Sequence, residues 1–328
     1  MTICIAAHGP NAGLAVYRSL RAAERVGAGS IGGFATFGAI TAEGRLLRHQ
    51  TQRGGTSTLF IDGEITGTEP PPEVATATSA AVISSGPDRP EPEKLLGADP
   101  LAGLVTGHRM PTTAGVDGIP VNQQVLDLMR AGQSARAAVD AVLDRNPWVD
   151  AGLVAIDRGG QVYGRNSARV LLRPDIAEAC ASRAGASVVV FHNAIRPHTV
   201  LAALVAEIAL DTMLGSPKPD GKVKVNAGTP VIAGKRTAIY CDTNSVATHI
   251  TGSEFEVLNG GRICTGVDLG SPVFMGGKLI GHTMFETWMT FQDGKLTFAS
   301  GQEFVLFGYR RPAADDRAMP SGVERHNR

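Results

Sequence analysis

Three times along the chain a short apolar run ends in a histidine and hands over to a segment with helical spacing, and this recurrence limits the fold more than any other feature. Residues 3–7 run into His8, Leu101–Thr106 into Gly107-His108, and Val188–Phe191 into His192-Asn193. Short apolar runs cut off by Gly, Pro or Asn read as buried strands. After the first run, Leu14, Tyr17, Leu20 and Val26 share one face while Arg18, Arg21 and Arg25 share the other, so the spacing predicts an amphipathic helix over 12–26, closed by Gly27. Further helices are predicted over 120–131, over 134–145 with Ser134 as its cap, and over 198–213. Strands alternating with helices predict a layered α/β (α+β) protein.

Each helical segment is accompanied by hairpins. Runs 34–41 and 45–52 flank the turn Ala42-Glu43-Gly44, and 151–156 and 161–171 flank Asp157-Arg-Gly-Gly160. The two align without gaps at an offset of about 116 residues, with Ala39, Ile40, Gly44 and Arg53 meeting Ala155, Ile156, Gly160 and Arg169, which is the pattern of an internal repeat. Between them, 66–100 is rich in Pro, Glu, Ser and Thr and reads as a loop or linker. The expected organisation is a first unit over 1–65, the linker over 66–100, a second unit over 101–185, a third with C-terminal β strands over 186–310, and a disordered tail over 311–328.

Composition narrows the function. Lys plus Arg equals Asp plus Glu at 31 each, so no global field favours nucleic acid or an acidic membrane surface. No run approaches the roughly 18 apolar residues of a membrane helix. The four cysteines are widely spaced, giving neither a zinc cage nor a disulfide framework and pointing to the cytoplasm. A small-molecule substrate, no cofactor, no metal, and a homo-oligomer are the corresponding expectations.

Histidines at strand ends lie where open α/β sheets bind ligands. His8, His108 and His192 are therefore candidates to orient or protonate a substrate, with Asn11, Arg109, Asn193 and Arg196 as nearby binding groups. Thr56 and Ser57 beside Arg53, and Asn166 beside Arg169, pair polar side chains with turn amides and form a second set of substrate-binding candidates. Two threonines are candidate nucleophiles. Thr106 follows the linker and would be exposed by internal cleavage; Thr2 would be exposed by loss of Met1, placing an α-amine of pKa near 8 beside its own hydroxyl. Thr106 ranks ahead, since many chains lose their first methionine without consequence. Gly27-Ala-Gly29-Ser-Ile-Gly32 follows a helix and precedes a strand, the reverse of a dinucleotide fingerprint.

The segment Ser134-Ala-Arg-Ala-Ala-Val-Asp-Ala-Val-Leu143, with Asp150-Ala-Gly-Leu-Val-Ala-Ile-Asp157 and Gly160-Gln-Val, resembles the isoaspartyl peptidase and plant-type asparaginase branch of the N-terminal nucleophile hydrolases over about 35 residues. The resemblance implies a four-layer αββα fold and amide hydrolysis by a threonine freed through chain cleavage. The family's threonine opens the Gly-x-x-Ala strand, whereas here that position follows Val149-Asp150, which leaves Thr106 as the counterpart. The function expected is hydrolysis of a C–N bond in a small amide, cyclic or open. The alternatives are a non-catalytic metabolite-binding or regulatory protein, and a lyase or isomerase using a histidine general base.

Overall fold

The computed structural model describes residues 1–215, 218–252, 260–298 and 301–312. They fall into two compact units, Met1–Ser216 and Pro217–Arg328.

The first unit is built from β1 (Thr2–His8), α1 (Ala12–Val26), β2 (Ala35–Ile40), β3 (Leu46–Thr51), β4 (Ser79–Ser85), β5 (Gly97–Asp99), β6 (Gly103–Arg109), α2 (Val121–Arg130), α3 (Ala135–Arg145), β7 (Ala151–Asp157), β8 (Val162–Asn166), β9 (Ile176–Arg183), β10 (Ala186–Asn193) and α4 (His198–Leu214), joined by shorter turns. One antiparallel sheet has the order β9-β10-β1-β4-β2-β3 and a second the order β8-β7-β6-β5.

Side-chain alternation stacks these sheets. Ile3, Ile5 and Ala7 of β1 pack with Val16 and Leu20 of α1 and Leu201 and Val205 of α4. Cys4 and Ala6, on the other face, pack with Leu104, Val154 and Ile156 of the smaller sheet. The outer face of that sheet, Val105, Leu153 and Ala155, packs with Val125 of α2 and Val139 and Leu143 of α3. Helices, sheet, sheet, helices gives four layers, αββα, and the expected α/β class is observed. Each buried Leu, Val or Ile contributes about 1.5–3 kcal/mol.

The stretch expected to be a linker over 66–100 has to be corrected. It contains β4, seven residues all buried, lying between β1 and β2 in the middle of the larger sheet. In Ser-Ala-Ala-Val-Ile-Ser-Ser five small residues flank the adjacent Val82 and Ile83, so the strand shows no alternation, and its Pro- and Glu-rich flanks hide it. The three-unit division is also redrawn. β10 and α4 belong to the first compact unit, since β10 pairs with β1 and α4 packs on α1.

The aligned hairpins make the same turn. Gly44 and Gly160 have φ of 81° and 85°, and their amides donate to Thr41 O and Asp157 O at 3.0 and 2.9 Å. Ile40 and Ile156 both face the layer between the sheets. The neighbours differ: β4 separates β1 from β2, whereas β6 and β7 pair directly.

The second unit is all β among its described residues, with a seven-stranded and a three-stranded sheet and a core including Val225, Ile239, Val273, Phe291 and Phe307. The expected tail lies outside the described residues from 313 onward. Among the described residues no helix is long and apolar enough to cross a membrane.

Candidate active site

Thr2 opens β1, directly opposite Asn193 of β10 on one side and Ser85 of β4 on the other. It shares parity with Cys4 and Ala6 and so belongs to the layer between the sheets. Asn193 shares parity with Val189 and Phe191, Thr106 and His108 with Leu104, and Asn166 with Val162, so all four belong to the same layer. Two sheets thus bring residues far apart in sequence to one end of the sandwich. There a cavity of about 700 Å³ opens, lined by Thr2, Arg48, Arg89, Lys94, Arg109 and Asn122 among others.

The polar groups behind Thr2 are almost fully enclosed, with Thr106, His108 and Asn193 at 0% exposure and Thr2 at 4%. His108 Nε2 lies 2.6 Å from Asn166 Oδ1, and Asn166 Nδ2 donates to Glu178 Oε2 at 2.9 Å. With the Asn166 amide in that orientation its oxygen accepts, so Nε2 carries the proton and Nδ1 is an acceptor. Burial pushes the His108 pKa down to about 4, with the neighbouring charges of His192 and Arg109 acting the same way and the bond to Asn166 opposing. Thr106 Oγ1, His108 Nδ1 and both amide atoms of Asn193 are buried without a hydrogen bond of good geometry, although the Asn193 amide lies close enough to His108 to favour its charged form. Each such group costs about 1–3 kcal/mol, and a fold retains a cluster of them only where something else is gained.

The cavity wall carries five cations, Arg48, Arg89, Lys94, Arg109 and Arg130, and two acids, Glu91 and Glu93. Arg109, at φ 65°, grips Asp150 through Nε and Nη2 at 3.1 and 2.6 Å, and that contact lowers the Asp150 pKa. Arg89 lies over Phe34 at 5.9 Å and donates to Ser85 Oγ at 3.2 Å; Ser85 in turn donates to the carbonyl of Met1. Arg48 donates to the carbonyls of Leu96 and Ala98 at 3.4 and 3.2 Å. Neither Arg48 nor Arg89 meets an acid among the described residues, whereas Lys94 and Arg130 are paired with Glu91 and Asp99. Desolvation, then Arg109 and Arg89, lowers the pKa of the N-terminal ammonium.

The three histidines do not meet. His8 is in the same layer but at the opposite end of β1, beside a second cavity of about 290 Å³. His192 shares parity with Val188 and Val190 and lies on the helix-covered face, its Nε2 3.0 Å from the carbonyl of His198; burial lowers its pKa to about 4. Thr106 lies in the middle of β6, paired with Val154, and does not open a strand as the resemblance requires. Asn11 precedes α1 in the left-handed region with no side-chain cap bond. Arg53 is exposed and paired with Asp88. The Thr56 amide and hydroxyl donate to Glu24, and Ser57 Oγ donates to Gly54 O, so both are engaged in local structure. Arg169 and Arg196 are exposed and line neither cavity.

Sequence reasoning missed Arg48, Arg89, Ser85 and Asp150. Arg89 and Ser85 fall in the stretch read as a linker, and only the pairing of β4 with β1 brings them to Thr2. Among the described residues no cluster of His, Cys, Asp and Glu is suited to a metal ion.

A family model described as a domain of unknown function, DUF6963, matches residues 2–222, and a second domain of unknown function, DUF7259, matches residues 228–303. No characterised protein matches the sequence.

Proposed function

The chain belongs to the DUF6963 family, a domain of unknown function, and we propose that it is a hydrolase of small amides in which Thr2, freed of Met1, is the nucleophile. The observation that carries this reading is the placement of Thr2 at the start of an inner strand, on the inter-sheet face, in the lining of the cavity of about 700 Å³.

With Met1 removed, the Thr2 amine takes the proton from its own hydroxyl as Oγ attacks the amide carbonyl. A free α-amine has an ordinary pKa near 8, close enough to neutrality for it to serve as a base. Asn193 Nδ2, a buried donor without a hydrogen bond of good geometry on the residue directly opposite Thr2, is assigned to the oxyanion. The protonated amine then delivers its proton to the departing nitrogen, and water hydrolyses the resulting ester. Arg48 and Arg89, free of acids, favour a substrate that carries a carboxylate.

Two alternatives are weaker. His108 and His192, each with a pKa near 4, are poor general bases at neutral pH, which disfavours a lyase or isomerase built on them. Cleavage before Thr106 would cut β6 between two buried, paired residues. Cys4, Cys180 and Cys241 are unpaired thiols, which suits a reducing compartment, and we assign the protein to the cytoplasm.

The reading is tested by screening small amides and lactams, with and without a carboxylate, against wild type, Thr2→Ser and Thr2→Ala. Turnover is expected to fall about a thousandfold or more in Thr2→Ala and to survive in part in Thr2→Ser. Tight amide binding with no turnover in any form would instead indicate a metabolite-binding protein.

A further inference from the structure

The far end of β1 carries a second constellation. His8 and Ser79 are direct register partners on β1 and β4 and share parity with the inter-sheet residues Ala6 and Ala81. His8 Nδ1 lies 2.9 Å from Ser79 Oγ, within the reach of a base and its nucleophile. β1 spans seven residues, so this pair lies about 20 Å from Thr2 at the usual rise per residue.

The turn between β7 and β8 closes over the imidazole. Gly160, at φ 85°, sits so close that a Cβ there would lie 2.3 Å from His8 Nε2. The absence of that carbon lets the ring keep its place against Ser79. Asp157, at the start of the same turn, is held by three backbone amides, from Ala135, Gly159 and Gln161, at 2.8, 2.9 and 3.0 Å. Its charge favours a protonated His8, while burial, the larger effect, favours the neutral ring at rest. The pair opens into the cavity of about 290 Å³, whose wall also carries Asp157 and Arg158. Arg158 forms no ion pair among the described residues and shares the cavity wall with Glu43.

We propose that Ser79 and His8 form a second nucleophilic site, independent of Thr2, that hydrolyses small neutral carboxylic esters. Ser79 Oγ bonds to the acyl carbon as its proton passes to His8 Nδ1. The alkoxide departs with that proton as an alcohol. Water, deprotonated in turn by His8, then releases the acid and restores the Ser79 hydroxyl. Asp157 stabilises the transient imidazolium and Arg158 the oxyanion. Asp157 has no hydrogen bond to the ring, so the dyad is a modest base. Esters, whose leaving groups need less proton assistance than amide nitrogens, are its substrates.

The test uses the full chain and a fluorophosphonate, which bonds through phosphorus to an activated serine with loss of fluoride. Peptide mapping should find one adduct on Ser79, absent in Ser79→Ala. Labelling should slow about a hundredfold in His8→Asn, which keeps a polar partner for Oγ but no base. Arg158→Ala, an exposed turn substitution that leaves the core untouched, should slow it several-fold. Hydrolysis of a short-chain 4-nitrophenyl ester should show the same order of rates and rise with pH as His8 loses its proton, levelling by pH 7. Failure of folded wild type to form the Ser79 adduct overturns the proposal. So does labelling at an unchanged rate in both His8→Asn and Arg158→Ala. Neither result bears on Thr2, which lies in a different peptide.

Discussion

His108 couples ionisation to folding at the Thr2 end of the sandwich. Its ordinary pKa of 6.5 drops to about 4 in the folded chain, so the folded state resists a proton that the unfolded state accepts. The stability at stake is about 3 kcal/mol, fully present above pH 6.5 and lost as pH falls from there towards 4. His192 acts in the same direction over the same window. Melting temperatures measured from pH 7 to pH 4 should therefore fall, and less steeply in His108→Gln. Gly152 sets the geometry of the cluster, because a Cβ there would lie 2.1 Å from Asn166 Oδ1 and 2.4 Å from His108 Nε2. Gly152→Ala should break the His108–Asn166 contact and cost about 1–3 kcal/mol in denaturant unfolding. His108 and Asn193 were legible as polar residues at strand ends, Asn166 as a polar residue beside turn amides, and Thr2 through the loss of Met1. Arg48, Arg89 and Asp150 were not, because Arg48 and Arg89 reach the cavity, and Asp150 reaches Arg109, only through pairing between strands distant in the chain, to which local patterns are blind.

The elements themselves were largely readable where periodicity is strong. Helix α1 follows its predicted range of 12–26, and α4 extends its predicted range of 198–213 by one residue. β4 was hidden because its two bulky residues, Val82 and Ile83, are adjacent among five small ones and, between Pro-rich flanks, show no alternation. Small residues also govern how closely elements approach. A Cβ on Gly13 would lie 1.7 Å from the carbonyl oxygen of Val74, where α1 crosses the segment leading into β4. Gly13→Ala should cost about 3 kcal/mol or more, because backbone must move to admit it. Gly44→Ala is the informative contrast. Nothing lies within 4 Å of its Cβ position, so only the strain of φ 81° is incurred, about 1 kcal/mol. Denaturant unfolding of the two variants separates close approach from backbone strain.

At the scale of the whole molecule, the core divides as the chain does. Among the described residues, three hydrophobic clusters draw on residues up to Leu214 and a fourth on Val223 onward. Residues 1–216 expressed alone should therefore fold and unfold cooperatively, as followed by circular dichroism. The four-layer arrangement was anticipated only through a resemblance of about 35 residues, since which sheet stacks on which is decided by the two faces of β1 and β6 together. The most direct test of a Thr2 nucleophile is mass spectrometry of the purified protein before and after treatment with a β-lactone, which acylates an activated N-terminal threonine. The account requires a chain that begins at Thr2 and gains one acyl group on its first peptide. A chain that retains Met1, or a folded chain that begins at Thr2 and takes no adduct there, would contradict it.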